Sequence, residues 1–248
     1  MDIPIITKQP WSFSDRLLHT YNEQNLENTL SSFNQAGGGS FYLLDFFRKK
    51  IIVDSPSSLI LCGHPIDLVK EKGFDFFQQI LTEKELEWLI RVNEESYDFF
   101  FSFPEHRRKD LFLSYDLTVQ TAKNEKRVLH HKVAPYKLCK NGNLWLGLYH
   151  VWSSSQRELG RSFIIDNKTN EQYNFIDNKF VKVDKPHFDQ EDLLILRYMI
   201  ADLSDKQMNE MLHISLSSFK RKKRLLFQKL DANTSACAIH KAHLMGVI

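Results

Sequence analysis

The chain is poor in several things that would otherwise place it. It has only three cysteines in 248 residues, Cys62, Cys139 and Cys237. They are far apart and odd in number, and no two have metal-ligand spacing. That pattern argues against a disulfide scaffold and a zinc module, and it suits a reduced, cytoplasmic setting. Glycine (9) and proline (7) are scarce, and nothing in the composition suggests a fibrous or disordered protein. No run approaches the roughly eighteen apolar residues of a membrane span, so no membrane partner is expected. The opening MDIPIITKQPWSFSDR carries an acid at position 2 and no long apolar stretch, so it does not read as a signal peptide. No internal repeat is visible. Charge of one sign is lacking as well: 33 Lys and Arg face 31 Asp and Glu.

What is present is core material and a local concentration of charge. There are 19 Phe, and apolar residues make up 42%. The length suggests two domains. From Pro186 to Ile248 there are nine Lys/Arg against seven Asp/Glu, and the other 185 residues carry 24 of each. Within that tail, Ser215 to Leu230 holds Lys220, Arg221, Lys222, Lys223, Arg224 and Lys229 with no acid. A polyanion would feel such a field.

Residues 11–33 have helical periodicity, with Phe13, Leu17, Tyr21, Leu26, Leu30 and Phe33 as the apolar stripe. Gly37-Gly38-Gly39-Ser40 follows. A phosphate-cradling loop needs a strand before it and a helix after it. Here a strand follows, so the run reads as a flexible linker. Phe41–Phe46 and Lys50–Asp54 read as strands. Thr82-Glu83-Lys84-Glu85 is a capping box opening a helix that carries Leu86, Leu89, Ile90, Tyr97, Phe100 and Phe101 and is limited by Pro104. From Leu111 the period shifts towards two. Leu113–Thr121, Arg127–Leu138 and Leu144–Ser153 read as strands, with Asn141-Gly142 as a hairpin turn in which both residues take positive φ. Ser162–Ile165, Gln172–Ile176 and Lys179–Val183 read as three more.

The element order over 40–153 resembles a PAS domain, a five-stranded sheet with helices over one face. That resemblance implies a sensor or dimerisation module, often with a pocket between sheet and helices. The fold class expected is therefore α+β: a PAS-like antiparallel sheet with helices, followed by an all-α unit of four helices. The expected domains are 1–39, a helical segment and linker; 40–185, the sensor with a strand extension; and 186–248.

In the tail, Asp189, Ser204, Ser215 and Thr234 or Asn233 are N-cap candidates. Ser204 opens a second capping box, with Gln207. The apolar faces expected are Leu193, Leu196, Met199 and Ile200; then Met208, Met211 and Leu212; then Phe219, Leu226 and Leu230; then Ala238, Ile239 and Ala242. Four short helices with a tight turn at His213-Ile214 describe a helix-turn-helix whose third helix enters the major groove N-terminal end first. Ser217, Lys220, Arg221, Arg224 and Gln228 fall on its outer face. Lys206 and Lys223 lie to the sides, suited to phosphates.

Those residues resemble the LuxR-type helix-turn-helix. Phe188-Asp189-Gln190-Glu191-Asp192 with Ile195-Leu196 stands where that family has Leu-Thr-x-Arg-Glu and Val-Leu. Leu203-Ser204-Asp205-Lys206-Gln207-Met208-Asn209 matches Leu-Ser-Asn-Lys-Glu-Ile-Ala. Ile214-Ser215-x-x-Ser218-Phe219-Lys220 matches Ile-Ser-x-x-Thr-Val-Lys. Leu226, Lys229 and Leu230 match Ile-x-x-Lys-Leu, and Gly246-Val247-Ile248 matches the Gly-Leu-Ile end. The register holds over about sixty residues without a gap. The resemblance gives binding roles to Lys220 and Lys222. Four departures stand out: Glu191 for Arg, Asp202 for Gly, Asn209 for Ala and Lys222 for His. Asp202 should make the end of the first helix less typical, and Asn209 should loosen packing between the second and third.

The DNA-binding residues expected are Lys206, Ser215, Ser217, Ser218, Lys220, Arg221, Lys222, Lys223 and Arg224. The partners expected are double-stranded DNA, a second copy of the chain, RNA polymerase and an unidentified small-molecule ligand. No cofactor is expected. One such tail buries only about 600–1,000 Å² on DNA, which favours a homodimer on two half-sites, with the last helix as its contact. Among rival readings, a sigma-factor-like protein would need a helical promoter-melting domain, and the strand-rich 111–183 speaks against that. A receiver would need alternating strands and helices around Asp45 or Asp54. Cys62-Gly63-His64 reads as an incidental loop pair. The rings of His130 and His131 point to opposite faces of a strand. Tyr97–Phe103 suits core packing before a ligand pocket. No Ser/His/Asp or Cys/His set has local support, so an enzyme is not expected.

Overall fold

The structure, a computed structural model, describes residues 21–36, 39–153, 162–184, 186–245 and 247–248. The chain divides into two compact units, Met1–Val183 and Asp184–Ile248. Together they make an α+β protein, with all strands in the first unit.

The first unit begins with α1 (Glu23–Ala36), then β1 (Ser40–Asp45) and β2 (Lys50–Ile52). Three helices follow, α2 (Ile66–Lys72), α3 (Phe77–Ile80) and α4 (Glu83–Ser102). Six strands complete it: β3 (Leu111–Gln120), β4 (Lys126–Leu138), β5 (Leu144–Ser153), β6 (Ser162–Asp166), β7 (Glu171–Ile176) and β8 (Lys179–Val183). One antiparallel sheet holds all eight, in the order β2-β1-β5-β4-β3-β6-β7-β8. The strand that follows β2 by way of the helices, β3, thus lies four places away, and β1, β5 and β4 stand between them.

Alternation along β1 sorts its side chains between two layers. Tyr42 and Leu44 join the larger core, where α2, α3 and α4 contribute Val69, Phe77, Ile80 and Leu89 against Leu117, Leu129 and Val151 of the sheet. Leu43 points the other way, and Leu26 and Leu30 of α1 cover it together with Ile52, Trp145 and Leu146. Both faces are therefore occupied, not one. The C-terminal half of α4 closes a third cluster, in which Val92 and Phe100 meet Leu111, Ile164 and Phe180.

Helix α1 starts at Glu23, where Asn22 Oδ1 accepts the Asn25 N–H (3.3 Å). Phe13 and Leu17 lie outside the described residues. Gly39 is no spacer: a Cβ there would sit 2.5 Å from His150 Nε2 and 2.7 Å from Val151 O. Thr82 caps α4 by accepting the Glu85 N–H (3.3 Å), but Glu85 does not reach back. Its carboxylate accepts the Thr118 N–H of β3 instead (3.4 Å), so only half of the expected box forms. Burial raises the Glu85 pKa.

The β4–β5 and β7–β8 turns differ. At β4–β5 the Gly142 N–H donates to Cys139 O (2.9 Å) and the Cys139 N–H to Asn143 O (2.8 Å). Gly142 takes φ +76° and Asn141 is not among the positive-φ residues. This is a three-residue loop ending in a left-handed glycine, not the two-residue turn expected from Asn141-Gly142. The two-residue turn with both φ positive occurs at Asp177-Asn178 (+49° and +61°), between β7 and β8.

The second unit is four helices: α5 (Gln190–Ile200), α6 (Asp205–Met211), α7 (Leu216–Lys229) and α8 (Ser235–Leu244). Asp189, Ser204, Ser215 and Thr234 cap them in turn, each side chain accepting the backbone N–H three residues on. The first two are full capping boxes. The Asp192 N–H holds the Asp189 carboxyl below its usual range.

The three turns between these helices do without glycine. Asp202, His213 and Asp231 take φ of +55°, +52° and +48°. The next N–H in each case reaches back to the helix, Leu203 to Tyr198 O, Ile214 to Asn209 O and Ala232 to Phe227 O. These are Schellman closures, so Asp202 gives α5 the ending that a glycine would. Asn209 also tightens its turn, because its Nδ2 donates to Ile214 O (3.2 Å).

The core is Ile195, Leu196, Met199, Met208, Phe219, Leu226, Leu230, Ala238 and Ala242. Three residues of the expected apolar faces are outside it: Ile200 and Met211 are each 56% exposed, and the half-buried Leu193 does not join it. The buried stripe of α5 runs through Asp192, Ile195, Leu196 and Met199, which turns Ile200 outward.

Candidate nucleic-acid interface

Helix α7 carries the cations, and its rotation is fixed from behind. Phe219 and Leu226 are fully buried and Leu230 nearly so. At about 100° per residue, Ser217, Arg221 and Gln228 then lie roughly opposite that row. Ser215, Ser217, Ser218, Lys220, Arg221 and Arg224 are all exposed, as is Lys206 on α6. Among the described residues no carboxylate lies within 4 Å of Lys206, Lys220, Arg221 or Arg224.

The other three lysines of α7 are held differently. Lys222 pairs with Glu191 of α5, and that carboxylate raises the Lys222 pKa. Lys229 pairs with the nearly buried Asp192 at 2.5 Å. On the opposite flank Lys223 pairs with Asp205 of α6 at 2.7 Å, and its ammonium lies within 6 Å of the Phe219 and Phe227 rings. So Lys222 and Lys223 are half-buried and ion-paired, where the sequence alone offered them as open phosphate ligands. Lys220 and Arg224, one turn apart, line an open concavity with Phe227 and Gln228. Ser215 is the least available hydroxyl, since it caps α7 and contacts Ser217 and Ser218 Oγ at 2.9 and 3.0 Å.

Sequence reasoning missed Glu191 and Asp205 as clamps. A signal did exist for the first pair. Glu191 and Lys222 are both departures from the LuxR-type pattern, of opposite charge, and they meet in space.

The first unit holds its own polar groups. His130 Nδ1 faces Asp116 Oδ1 at 2.9 Å, and His130 Nε2 faces Ser114 Oγ at 2.7 Å. With the Nδ1 proton directed at Asp116, Nε2 accepts from the serine. This Ser/His/Asp chain, which no local spacing announced, has all three members at 3% exposure or less. It joins β3 to β4 across the face opposite the main helical layer. His131 points to the other face and stacks on Tyr115 (5.1 Å between centroids). Burial lowers its pKa from 6.5 to about 3.

A cavity of about 80 Å³ lies between α4 and the sheet, lined in part by Asn93, Ser96, Tyr97, Phe100 and Tyr149. It has room for about five waters. Phe99 instead packs on Tyr173 and Phe180. The Cys62 thiol is pushed up to about 12 by burial, which makes it a poor nucleophile or metal ligand. Asp45 is fully buried and accepts from Phe47 N, Arg48 N, Arg48 Nη1 and Tyr21 OH, so it fastens a turn. Among the described residues no three His, Cys, Asp or Glu side chains are grouped to hold a metal ion. No described helix is long and apolar enough to cross a membrane.

No family model matches the chain, and no curated protein matches it either. Solved structures of VqmA overlap it loosely. A Vibrio cholerae VqmA dimer without target DNA, described as a LuxR-type receptor, is 10% identical over 88% of this chain and 87% of that one, with a TM-score of 0.33. VqmA bound to DPO is 10% identical over 89% of each chain, also at 0.33. A phage VqmA–DPO complex is 12% identical over 65% and 64%, at 0.24. Overlap at this level does not carry function from those proteins to this chain.

Proposed function

We propose that this protein is a sequence-specific DNA-binding transcription regulator, not an enzyme, and that it works in the cytoplasm as a homodimer. The second unit is the LuxR-type helix-turn-helix, and α7 enters the major groove. The observation that carries this is the outer face of α7, where Lys220, Arg221 and Arg224 are exposed together beside Ser217, with no carboxylate of the described residues in reach, on a helix whose rotation Phe219 fixes. A merely solvated helix would not need its remaining lysines drawn aside by Glu191, Asp192 and Asp205. The first unit is the PAS-like sensor or dimerisation module, and the cavity beneath α4 is where a small ligand would act. RNA polymerase is a further partner of the bound dimer.

The test is binding of full-length protein to a labelled duplex pool at rising salt. Four phosphate contacts would weaken affinity about a hundredfold for a fourfold rise in salt. Binding that ignores salt, or no binding at low salt, would end this proposal.

A further inference from the structure

Three arginines and lysines share the outer face of α7, but they are not equivalent, and the geometry assigns them different tasks. We infer that Arg221 is the base-reading residue, that it recognises a guanine in the major groove of each half-site, and that Lys220 and Arg224 hold phosphates. This rests on the DNA-binding reading given above and sharpens it.

Angular position comes first. Arg221 follows Phe219 by two residues, about 200° around the helix, which places it nearly diametrically opposite the buried row. Lys220 is only about 100° from Phe219 and Arg224 about 140°. Both are therefore on the shoulder towards α6, where they line the same open concavity. A helix lying in the groove points its centre line at the base edges and its shoulders at the two backbones.

Position along the axis comes second. Arg221 lies in the second turn of a helix that starts at Leu216, the half that goes deepest when the N-terminus leads. Gln228 shares the centre line two turns later. The only other centre-line side chain near the tip is Ser217, which is too short to read a base pair bidentately and whose Oγ is 2.9 Å from Ser215 Oγ.

Chemistry decides the base. A guanidinium presents paired donors in a plane, which match guanine O6 and N7, and no other base edge in the major groove offers two acceptors so placed. The ion pairs secure this arrangement. Lys222 to Glu191 and Lys229 to Asp192 tie one flank of α7 to α5, while Lys223 to Asp205 ties the other to α6. Rolling the helix to bring Lys222 or Lys223 to the bases would break pairs on both sides.

The experiment enriches bound duplexes from a random pool with the full-length protein. It then replaces each guanine of the enriched half-site by 7-deazaguanine, which lacks the N7 acceptor. The wild type should lose about tenfold or more at one guanine per half-site. Arg221→Lys, which keeps the charge but not the fork, should bind both duplexes alike with an unchanged salt slope. Lys220→Ala and Arg224→Ala should keep the guanine preference and flatten the slope by about one contact each. The inference is overturned if Arg221→Lys keeps the preference, or if no half-site guanine is sensitive. A wild type that enriches no sequence would overturn it together with the DNA-binding reading. Arg221 is exposed, so an unchanged melting curve for Arg221→Lys will show that the variant is folded.

Discussion

The two units handle polar atoms in opposite ways. The sheet unit buries them: Ser114, Asp116, His130, His131, Asp45, Glu85 and Asn93 are all 8% exposed or less. The helical unit buries almost none. Its core is aliphatic apart from Phe219, and its buried charged residues are Asp192 and Lys241, both ion-paired at the margin. A sheet covered on both faces has to enclose whatever its alternating pattern points inward, so it needs internal hydrogen bonds to offset desolvation. A small four-helix unit can leave its polar residues outside. The proposed sensor and DNA-binding roles draw on these two properties in turn.

Four experiments would break or sharpen this contrast. The largest effect is expected from Phe219→Ala. It empties the centre of the helical core, where a loss of about 3–5 kcal/mol would leave so small a unit largely unfolded. Circular dichroism should show helix lost and the sheet signal retained. A variant that melts like the wild type would mean that Phe219 does not hold the helical core.

Acid is the next most discriminating. The His131 pKa falls from 6.5 to about 3 in the folded protein, so its neutral form is the one the sheet unit holds. That contribution is complete above pH 6.5 and drains as pH falls towards 3, at about 1.4 kcal/mol per pH unit. The Asp189 carboxyl lies below the usual 3.8 of an aspartate, so its stabilisation of the helical unit is lost only below that. Between pH 6.5 and 4 the sheet unit should weaken and the helical unit should not. His131→Leu should flatten the response when followed by tryptophan fluorescence, since the three tryptophans at 88, 145 and 152 among the described residues are all in the sheet unit.

Lys220→Ala and Arg224→Ala test the surface side of the comparison. Each should reduce the salt slope of DNA binding by about 0.9 and shift stability by no more than about 0.5 kcal/mol. A stability loss well beyond that would move these residues from the interface to the scaffold. The smallest effect belongs to Glu191→Gln, which releases Lys222. DNA affinity should rise about threefold, the scale of an exposed ion pair, with a slightly steeper slope. A fall in affinity would show that holding α7 in place, a task the pair shares with Lys229–Asp192, outweighs the freed lysine.

Much of both units was legible in the amino-acid order. Asp189, Ser204, Ser215 and Thr234 marked the four helix starts, and all eight strands lie within two residues of where the change of period puts them. The failures are instructive. Asn141-Gly142 looked like the tighter turn, yet the two-residue turn formed at Asp177-Asn178, because strand register decides how many residues a loop must span. Ile200 and Met211 fitted apolar stripes, but the phase set by Ile195 and Met199 on α5 and by Met208 on α6 left them outside.

Caps and alternation are settled by groups a few residues apart, so the sequence alone determined the elements, their order and the cationic helix. Strand neighbours, the Ser114–His130–Asp116 chain and the fate of each lysine on α7 depend on groups brought together from far along the chain. Lys222 meets Glu191 across 31 positions, Lys223 meets Asp205 across 18 and Lys229 meets Asp192 across 37. Six charges on one helix, five of them adjacent, were evident in the string. Only the tertiary structure decided which three remain open to a phosphate or a base, because an ion pair forms wherever packing brings a carboxylate within reach, whatever the distance along the chain.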